Sequence, residues 1–307
     1  MKAAYMKAQG GPEVLVYGEV PDPVASAGQI VVDIHAASVN GADWKVRAGD
    51  YSKIEEFPYI CGRDFSGTVA ALGAGVTDFK VGDAVFGVLA PGHEGTYCEK
   101  VVMDAAICAK KPDSMSHVEA ATLALTGLTA IISIEDTIKL KAGETILIQG
   151  GAGGVASYAI QLAKHIGAHV ITTARADNHA YLKGLGADEV IDYSKQDFTR
   201  AVKDVDAVFE TVGGETTMKS FAVVRPGGRV ACIASGAKAP DSPRADVASL
   251  RPAVGRSRKV LERIVELHES GAIKVPEIHT YTLQQAQEAH KVSEGRHFRG
   301  KLVLTVK

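Results

Sequence analysis

Gly150, Gly153 and Ala156 form a G-x-x-G-x-x-A series within Gly150-Gly151-Ala152-Gly153-Gly154-Val155-Ala156, directly after the apolar run 145–149. Minimal side chains at these positions permit a tight turn and let an anion approach the backbone closely. Beyond them Val155, Ala159, Leu162, Ala163 and Ile166 recur at helical spacing, and Gly167 is placed to cap the C-terminus. A helix that opens here presents unpaired N–H groups, those of Gly154 and Val155 among them, together with its positive dipole end. Strand, glycine turn and helix together suit the pyrophosphate of a dinucleotide. Glycine-rich turns also close α/β units that bind nothing, so the motif needs support from its surroundings.

That support comes from the later strands. The run 169–173 leads into Thr173-Ala174-Arg175, where a dinucleotide site that binds a ribose diol offers an acid, and no acid is present. The Arg175 guanidinium suits a 2′-phosphate, which points to NADPH over NADH; as a solvated surface arginine it needs no ligand. Lys183 and Tyr193 fall in the same neighbourhood and could assist. Thr211, Val212 and Gly213 follow the run 206–210, and Ala234, Ser235 and Gly236 close the run 229–234. Crevices at the carboxyl ends of parallel strands take ligands, so these residues are candidates to line the nicotinamide half, or else form ordinary strand-to-helix turns.

Two patterns of elements must carry these residues. Up to about residue 115 the chain shows short β runs at 29–35, 67–72, 84–88 and 97–102 broken by turn residues, an antiparallel, barrel-like pattern. After Pro112, helices alternate with apolar strands at 145–149, 169–173, 189–192, 206–210 and 229–234, which predicts a parallel, doubly wound sheet. A helix is expected at 257–270. Thr282 and Gln285 make a capping box for another helix to about Val292, and a last strand is expected at 301–306. The predicted division is 1–115 with 273–307 as one domain and 116–272 as the other, the second inserted into the first.

Composition limits the classes of function. With 307 residues, 46% of them hydrophobic and 23% charged, the chain can build a sizeable core. A net charge of −2 gives no field for nucleic acid or an anionic membrane. The uncharged stretch 120–134 is short for a membrane span of about 20 residues, so a buried helix is expected there. The start Met-Lys-Ala-Ala-Tyr-Met-Lys has no apolar core of a secretory signal, and a cytoplasmic location is expected. Cys61, Cys98, Cys108 and Cys232 spell neither a zinc knuckle nor a disulfide framework and read as core residues. His93-Glu94 reads as a surface loop.

The order of motifs resembles the medium-chain dehydrogenase/reductase superfamily, and within it the zinc-independent quinone oxidoreductase branch. The resemblance runs through Ser38-Val39-Asn40 to Asp43, Gly62-Arg63-Asp64-Phe65-Ser66-Gly67, Val81 to Val85, Leu125 to Ala130, the Gly150 to Ala156 loop, Leu185 to Asp188 and Arg299-Gly300-Lys301-Leu302-Val303. It implies an α/β fold, with a GroES-like β-barrel catalytic domain and a Rossmann domain, and a homodimer. Zinc-dependent members place a Cys near the Asn40 to Asp43 turn and a Gly-His-Glu in the next segment; this chain has Asn-Gly-Ala-Asp and Gly-Arg-Asp. No catalytic metal is therefore expected. What the resemblance implies is hydride transfer from NADPH to a quinone, with α,β-unsaturated carbonyls as alternative acceptors, because conjugation in the acceptor takes up the electrons.

By the same resemblance Thr126 lies behind the nicotinamide, Asn40 faces the substrate, Tyr51 stands on the substrate side and Arg299 points to the cofactor phosphates. Lys45 departs from the pattern, standing where relatives often carry an aromatic residue. Asp64 is a proton donor if burial raises its pKa, or a structural carboxylate paired with Arg63 or a backbone donor. Neither a G-x-S-x-G elbow, nor a Y-x-x-x-K pair, nor a P-loop occurs. A protein that binds the cofactor with little turnover is the reading from another class.

Overall fold

A computed structural model of the chain describes residues 1–236 and 238–307. Two compact units result: Met1–Leu125 with Gly255–Glu269 and Glu277–Lys307, and Thr126–Val254 with Ser270–Pro276.

In the first unit, strand Gln29–Val39 is the spine. It is longer than the expected 29–35 because three antiparallel partners share it: Lys100–Asp104 along its first half, Lys301–Thr305 along its second, and Asp64–Leu72 on the other edge. The sheet continues from Asp64–Leu72 to Ala84–Val88 and Cys108–Lys110. Ile278–Thr282 adds a parallel strand outside Lys301–Thr305. A separate sheet sets Lys2–Met6 between Leu15–Glu19 and Tyr59–Ile60. Alternating residues of these strands, such as Ile30, Val32, Ile34, Phe65, Val69 and Leu302, form one core. The run expected at 97–102 begins later, at Lys100, because Tyr97 and Cys98 turn into that core.

The helix Arg258–Glu269 packs with this unit, whereas the sequence pattern assigns it to the second. Buried Leu261, Ile264 and Leu267 give it one apolar face. Arg258 fastens its first turn, donating to the carbonyls of Cys108 at 2.8 Å and Ala105 at 2.7 Å and pairing with Asp78 at 2.8 Å. Thr282 and Gln285 do make a capping box, but the first turn is a 3₁₀ turn, and the α-helix runs from Ala286 to Gly295.

The second unit holds a six-stranded sheet in the spatial order Glu189–Asp192, His169–Ala174, Thr145–Ile148, Val205–Glu210, Val224–Cys232, Ala248–Leu250. Every pairing is parallel, and numbered from Thr145 the order is 3-2-1-4-5-6, that of a dinucleotide-binding sheet. Strand Val224–Cys232 starts five residues before the expected 229, continuing through Pro226 and two glycines.

Two further helices carry candidate site residues. Helix α1 spans Gly41–Ala48. Helix α2, His117–Ile131, passes without a break into a π-helical stretch, Ile132–Ile138. The continuous segment of 22 residues is longer than the expected buried stretch, and by length and composition alone could cross a membrane. In the fold 78% of its most apolar window is buried inside the protein, as a core helix would be.

Candidate active site

On the nucleotide side, helix α3, Gly154–Ile166, begins directly after Gly153, and no side chain caps its N-terminus. Its first turn therefore offers backbone donors to a ligand. Gly150 adopts φ +69°, a conformation only glycine takes without strain. Its N–H donates to Thr173 Oγ1 at 3.1 Å, and the N–H of Gly153 returns to the Gly150 carbonyl at 3.0 Å. Gly151, which motif spacing passes over, is the tightest glycine of this loop: a Cβ there would meet Thr172 Oγ1 at 2.3 Å. Gly167 closes α3 in the left-handed region as expected.

The loop lies at the switch point of the sheet, where strands Thr145–Ile148 and Val205–Glu210 adjoin. Thr211 Oγ1 donates to the Gln149 carbonyl at 2.8 Å, bringing Thr211 and Val212 beside Gly150. The Val212 and Gly213 N–H groups are both held by Glu210 Oε1, at 2.8 and 2.9 Å. Ala234 abuts Gly213, and Ser235 Oγ donates to the Lys238 carbonyl at 2.9 Å. Arg175 is exposed immediately after its strand, Tyr193 is half-exposed just past the next strand, and Thr126 is buried on α2.

In the first unit the side chains form a buried polar network. Asp64 is fully buried; both its oxygens accept from Ser38 Oγ, at 2.9 and 2.8 Å, Oδ1 also accepts from Asn40 Nδ2 at 2.8 Å, and Oδ2 from the Leu125 N–H at 3.2 Å. Lys301 Nζ donates to Asn40 Oδ1 at 2.8 Å and to the Val39 carbonyl at 2.9 Å, which orients the Asn40 amide. Burial pushes the Asp64 carboxyl above the usual carboxylate range, while Lys301 and the Ser38 and Asn40 donors pull it back. Burial likewise lowers the Lys301 ammonium against the attraction of Asp64. All the donors aimed at Asp64 favour its anionic form, so the geometry makes it an organiser of Asn40 and Ser38.

Arg63 does not pair with Asp64. It binds Glu94 at 2.7 Å and approaches Asp43 at 3.6 Å. Asp43 in turn accepts from the Asn40 N–H at 2.9 Å and the Tyr97 hydroxyl at 2.8 Å. Glu94 is therefore no surface residue: its side chain is 5% exposed and burial pushes its carboxyl up to about 7. Tyr51 is 56% exposed, with the Arg63 guanidinium 5.0 Å from its ring centre. Arg299 is drawn to Glu277, with Nε at 2.5 Å.

Sequence reasoning missed Lys301, Ser38, Asp43, Glu94 and Gly151. A lysine opening the apolar strand Lys301–Thr305 is the one signal that marks a buried cation; nothing in the sequence around Glu94 distinguishes it from a loop residue. All four cysteines are buried and unpaired.

Comparison with known proteins covers the whole molecule. The pattern for an alcohol dehydrogenase GroES-like domain matches residues 26–113, and that for a zinc-binding dehydrogenase matches residues 185–304. The chloroplast envelope quinone oxidoreductase homolog of Arabidopsis thaliana is 31% identical, over 96% of this chain and 95% of its own. A 2-haloacrylate reductase of Burkholderia sp is 32% identical over 98% of each chain. The solved structure of Escherichia coli quinone oxidoreductase complexed with NADPH superposes with a TM-score of 0.91 at 27% identity, covering 100% of both chains. The fold joins a GroES-like domain to a Rossmann domain, and the chain belongs to the medium-chain dehydrogenase/reductase superfamily, in its quinone oxidoreductase branch.

Proposed function

We propose that this protein is an NADPH-dependent reductase of quinones, with α,β-unsaturated carbonyl compounds as the alternative acceptors. One observation carries the reading: an uncapped helix N-terminus opens at the switch point of a 3-2-1-4-5-6 sheet, on a fold that matches an NADPH-bound quinone oxidoreductase over its full length. The 2-haloacrylate reductase among the relatives supports the alternative acceptors.

The residues present fit the dinucleotide. Gly150 and Gly153 turn the chain, while Ala152, Gly154 and Val155 present backbone to the pyrophosphate. Arg175 meets the 2′-phosphate, and Tyr193, Thr211, Val212, Ala234 and Ser235 flank the rest. Thr126 serves the nicotinamide and Arg299 the phosphates, both on the strength of the resemblance. NADPH supplies the hydride when bound. Asn40, fixed by Lys301 and Asp64, is the polar group offered to the acceptor, with Tyr51 on the same side.

The reading needs no metal. Asn40 to Asp43 and Gly62-Arg63-Asp64 occupy the places of the zinc ligands, and Arg63 brings a cation where zinc-dependent members have a histidine. A homodimer is carried over with the family reading. Steady-state assays of NADPH and NADH against quinones, 2-alkenals and alcohols, each with and without a chelator, test it. The expected result is NADPH oxidation by quinones or alkenals that a chelator leaves unchanged. Chelator-sensitive alcohol oxidation, or tight NADPH binding with no turnover across the panel, overturns it.

A further inference from the structure

Hydride transfer leaves an electron pair on the acceptor, and that pair needs a proton. Asp64 is a poor source, because every donor aimed at it favours the anion. A second buried carboxyl differs on this point. Glu94 lies in the loop between strands Ala84–Val88 and Lys100–Asp104, and backbone bonds pin the loop to Gly62-Arg63 on both sides of it. The Leu89 N–H donates to the Arg63 carbonyl at 2.8 Å, and the Gly95 N–H donates to the Gly62 carbonyl at 2.8 Å. Arg63 binds one oxygen of Glu94, Oε1, donating from Nε at 2.8 Å and from Nη2 at 2.7 Å. Glu94 Oε2 is buried and has no hydrogen-bond partner among the described residues.

The same guanidinium ties Glu94 to the substrate side. It sits 5.0 Å from the centre of the Tyr51 ring. Its Nε lies 3.6 Å from Asp43 Oδ1, and Asp43 Oδ2 accepts the Asn40 N–H at 2.9 Å. Two buried carboxyls, Asp43 on α1 and Glu94, therefore share one cation. Tyr59, from strand Tyr59–Ile60, and Cys61 also face Glu94, but burial raises both above their ordinary ranges, so neither adds charge at neutral pH. A buried anion without its own cation is costly, and the pair is expected to hold one proton. Asp43 accepts from the Asn40 N–H and from the Tyr97 hydroxyl, which favours its anion. The proton then falls to Glu94, on the unpartnered Oε2. Burial first, then the charge of Asp43, pushes the Glu94 carboxyl up to about 7, in the range where an acid both gives and regains a proton.

We infer that Glu94 is the proton donor of the reduction, passing the proton on Oε2 to the acceptor's oxygen on the side of Tyr51 and Asn40. The inference rests on the reductase reading and adds a catalytic residue to it. The acceptor gains a hydride, NADPH being oxidised to NADP⁺. The electron pair displaced onto its conjugated oxygen forms an O–H bond with the Glu94 proton as the Oε2–H bond breaks. Glu94 is left a carboxylate against Arg63, and the excess negative charge draws a proton back from solvent.

Steady-state reduction of 1,4-naphthoquinone by NADPH, followed from about pH 5.5 to about pH 8.5, tests the step. The donor must be protonated, so kcat of the unaltered protein should fall as pH rises through about 7. Glu94→Gln keeps an oxygen for Arg63 and removes the acid. Its kcat and kcat/KM should both drop by about 100-fold and the fall with pH should vanish, while NADPH affinity stays within about twofold. Glu94→Asp, a shorter acid, should recover part of the rate and bring the fall with pH back. Melting temperatures show whether the variants fold, and a merely structural residue would change them without flattening the profile. If Glu94→Gln does not fold, infrared titration decides: a carboxylic-acid carbonyl band present at about pH 6 and lost by about pH 8 should be displaced in Glu94→Asp. Absence of that band overturns the inference while the reductase reading stands. So does a Glu94→Gln rate within about threefold of the unaltered protein, or a fall with pH that the substitution leaves in place. Failure of the unaltered protein to reduce any quinone or alkenal overturns both.

Discussion

The two units hold charge by opposite means. In the second, the anion site is made of backbone: N–H groups at the start of α3 and glycines that keep side chains out of the way. In the first, the polar site is made of buried side chains, Asp64, Asn40, Ser38 and Lys301, each answering another. The backbone device occupies a few consecutive residues. The side-chain network joins positions 26, 61 and 261 residues apart. One is tolerant of exposed charge and intolerant of an added methyl; the other should show the reverse.

The largest effect is expected from breaking the buried network. Lys301→Met removes the cation that faces Asn40 and Asp64 and leaves a carboxylate buried without its counter-charge, at a cost of about 3–5 kcal/mol. Urea unfolding monitored by circular dichroism measures it. Asp64→Asn on the same background removes the stranded charge while keeping a group that can accept from Ser38 and Leu125, and should recover about half of the loss. If the double variant is no more stable than Lys301→Met alone, the charge balance between Lys301 and Asp64 is not what holds this region.

A smaller loss is expected where the backbone device is made to accept a side chain. Gly151→Ala places a Cβ 2.3 Å from Thr172 Oγ1, which is itself donating to the Ile148 carbonyl at 2.6 Å, and 3.2 Å from Leu182. Overpacking of this kind costs about 1–3 kcal/mol. Because the strain falls at the root of the loop, NADPH affinity should drop with stability, measured by fluorescence titration of the variant at a temperature where it is folded. An alanine variant with unchanged stability and unchanged NADPH affinity would show that the loop has slack the packing does not reveal.

The same contrast explains what could be read from the chain alone. The strand, turn and helix at 145–166 and the C-cap at Gly167 follow from local periodicity and glycine placement and appear within a residue or so of expectation. The parallel character of the second unit's sheet follows from its alternating strands and helices, whereas its order, the early start of Val224–Cys232 and its last strand, Ala248–Leu250, do not. The Arg258–Glu269 helix was legible as a helix, but its unit was not, because Arg258 is fixed by carbonyls about 150 residues away in the chain. Glu94 reads as a loop acid beside His93 until the fold brings Arg63 to it. Asp64 could be suspected of chemistry from its motif, yet its role as the acceptor for Ser38, Asn40 and the Leu125 N–H emerges only when strand Asp64–Leu72 is placed next to strand Gln29–Val39. Pairing across a sheet sets such contacts, and sequence spacing does not record it.

The smallest effect tests the other half of the comparison, the tolerance of exposed charge. Arg175 is exposed after strand His169–Ala174, so water screens it and little stability should depend on it. Its value lies in discrimination. Arg175→Glu removes a guanidinium suited to a 2′-phosphate and puts in its place an acid suited to a ribose diol, so the ratio of kcat/KM for NADPH over NADH should fall by about tenfold or more. Unfolding by urea should differ by no more than about 0.5 kcal/mol from the unaltered protein. A cofactor ratio that does not move would leave Arg175 a solvated surface residue and take the preference for NADPH away from this position. A large loss of stability would mean instead that the second unit, like the first, depends on side-chain charge, and the contrast between them would fail.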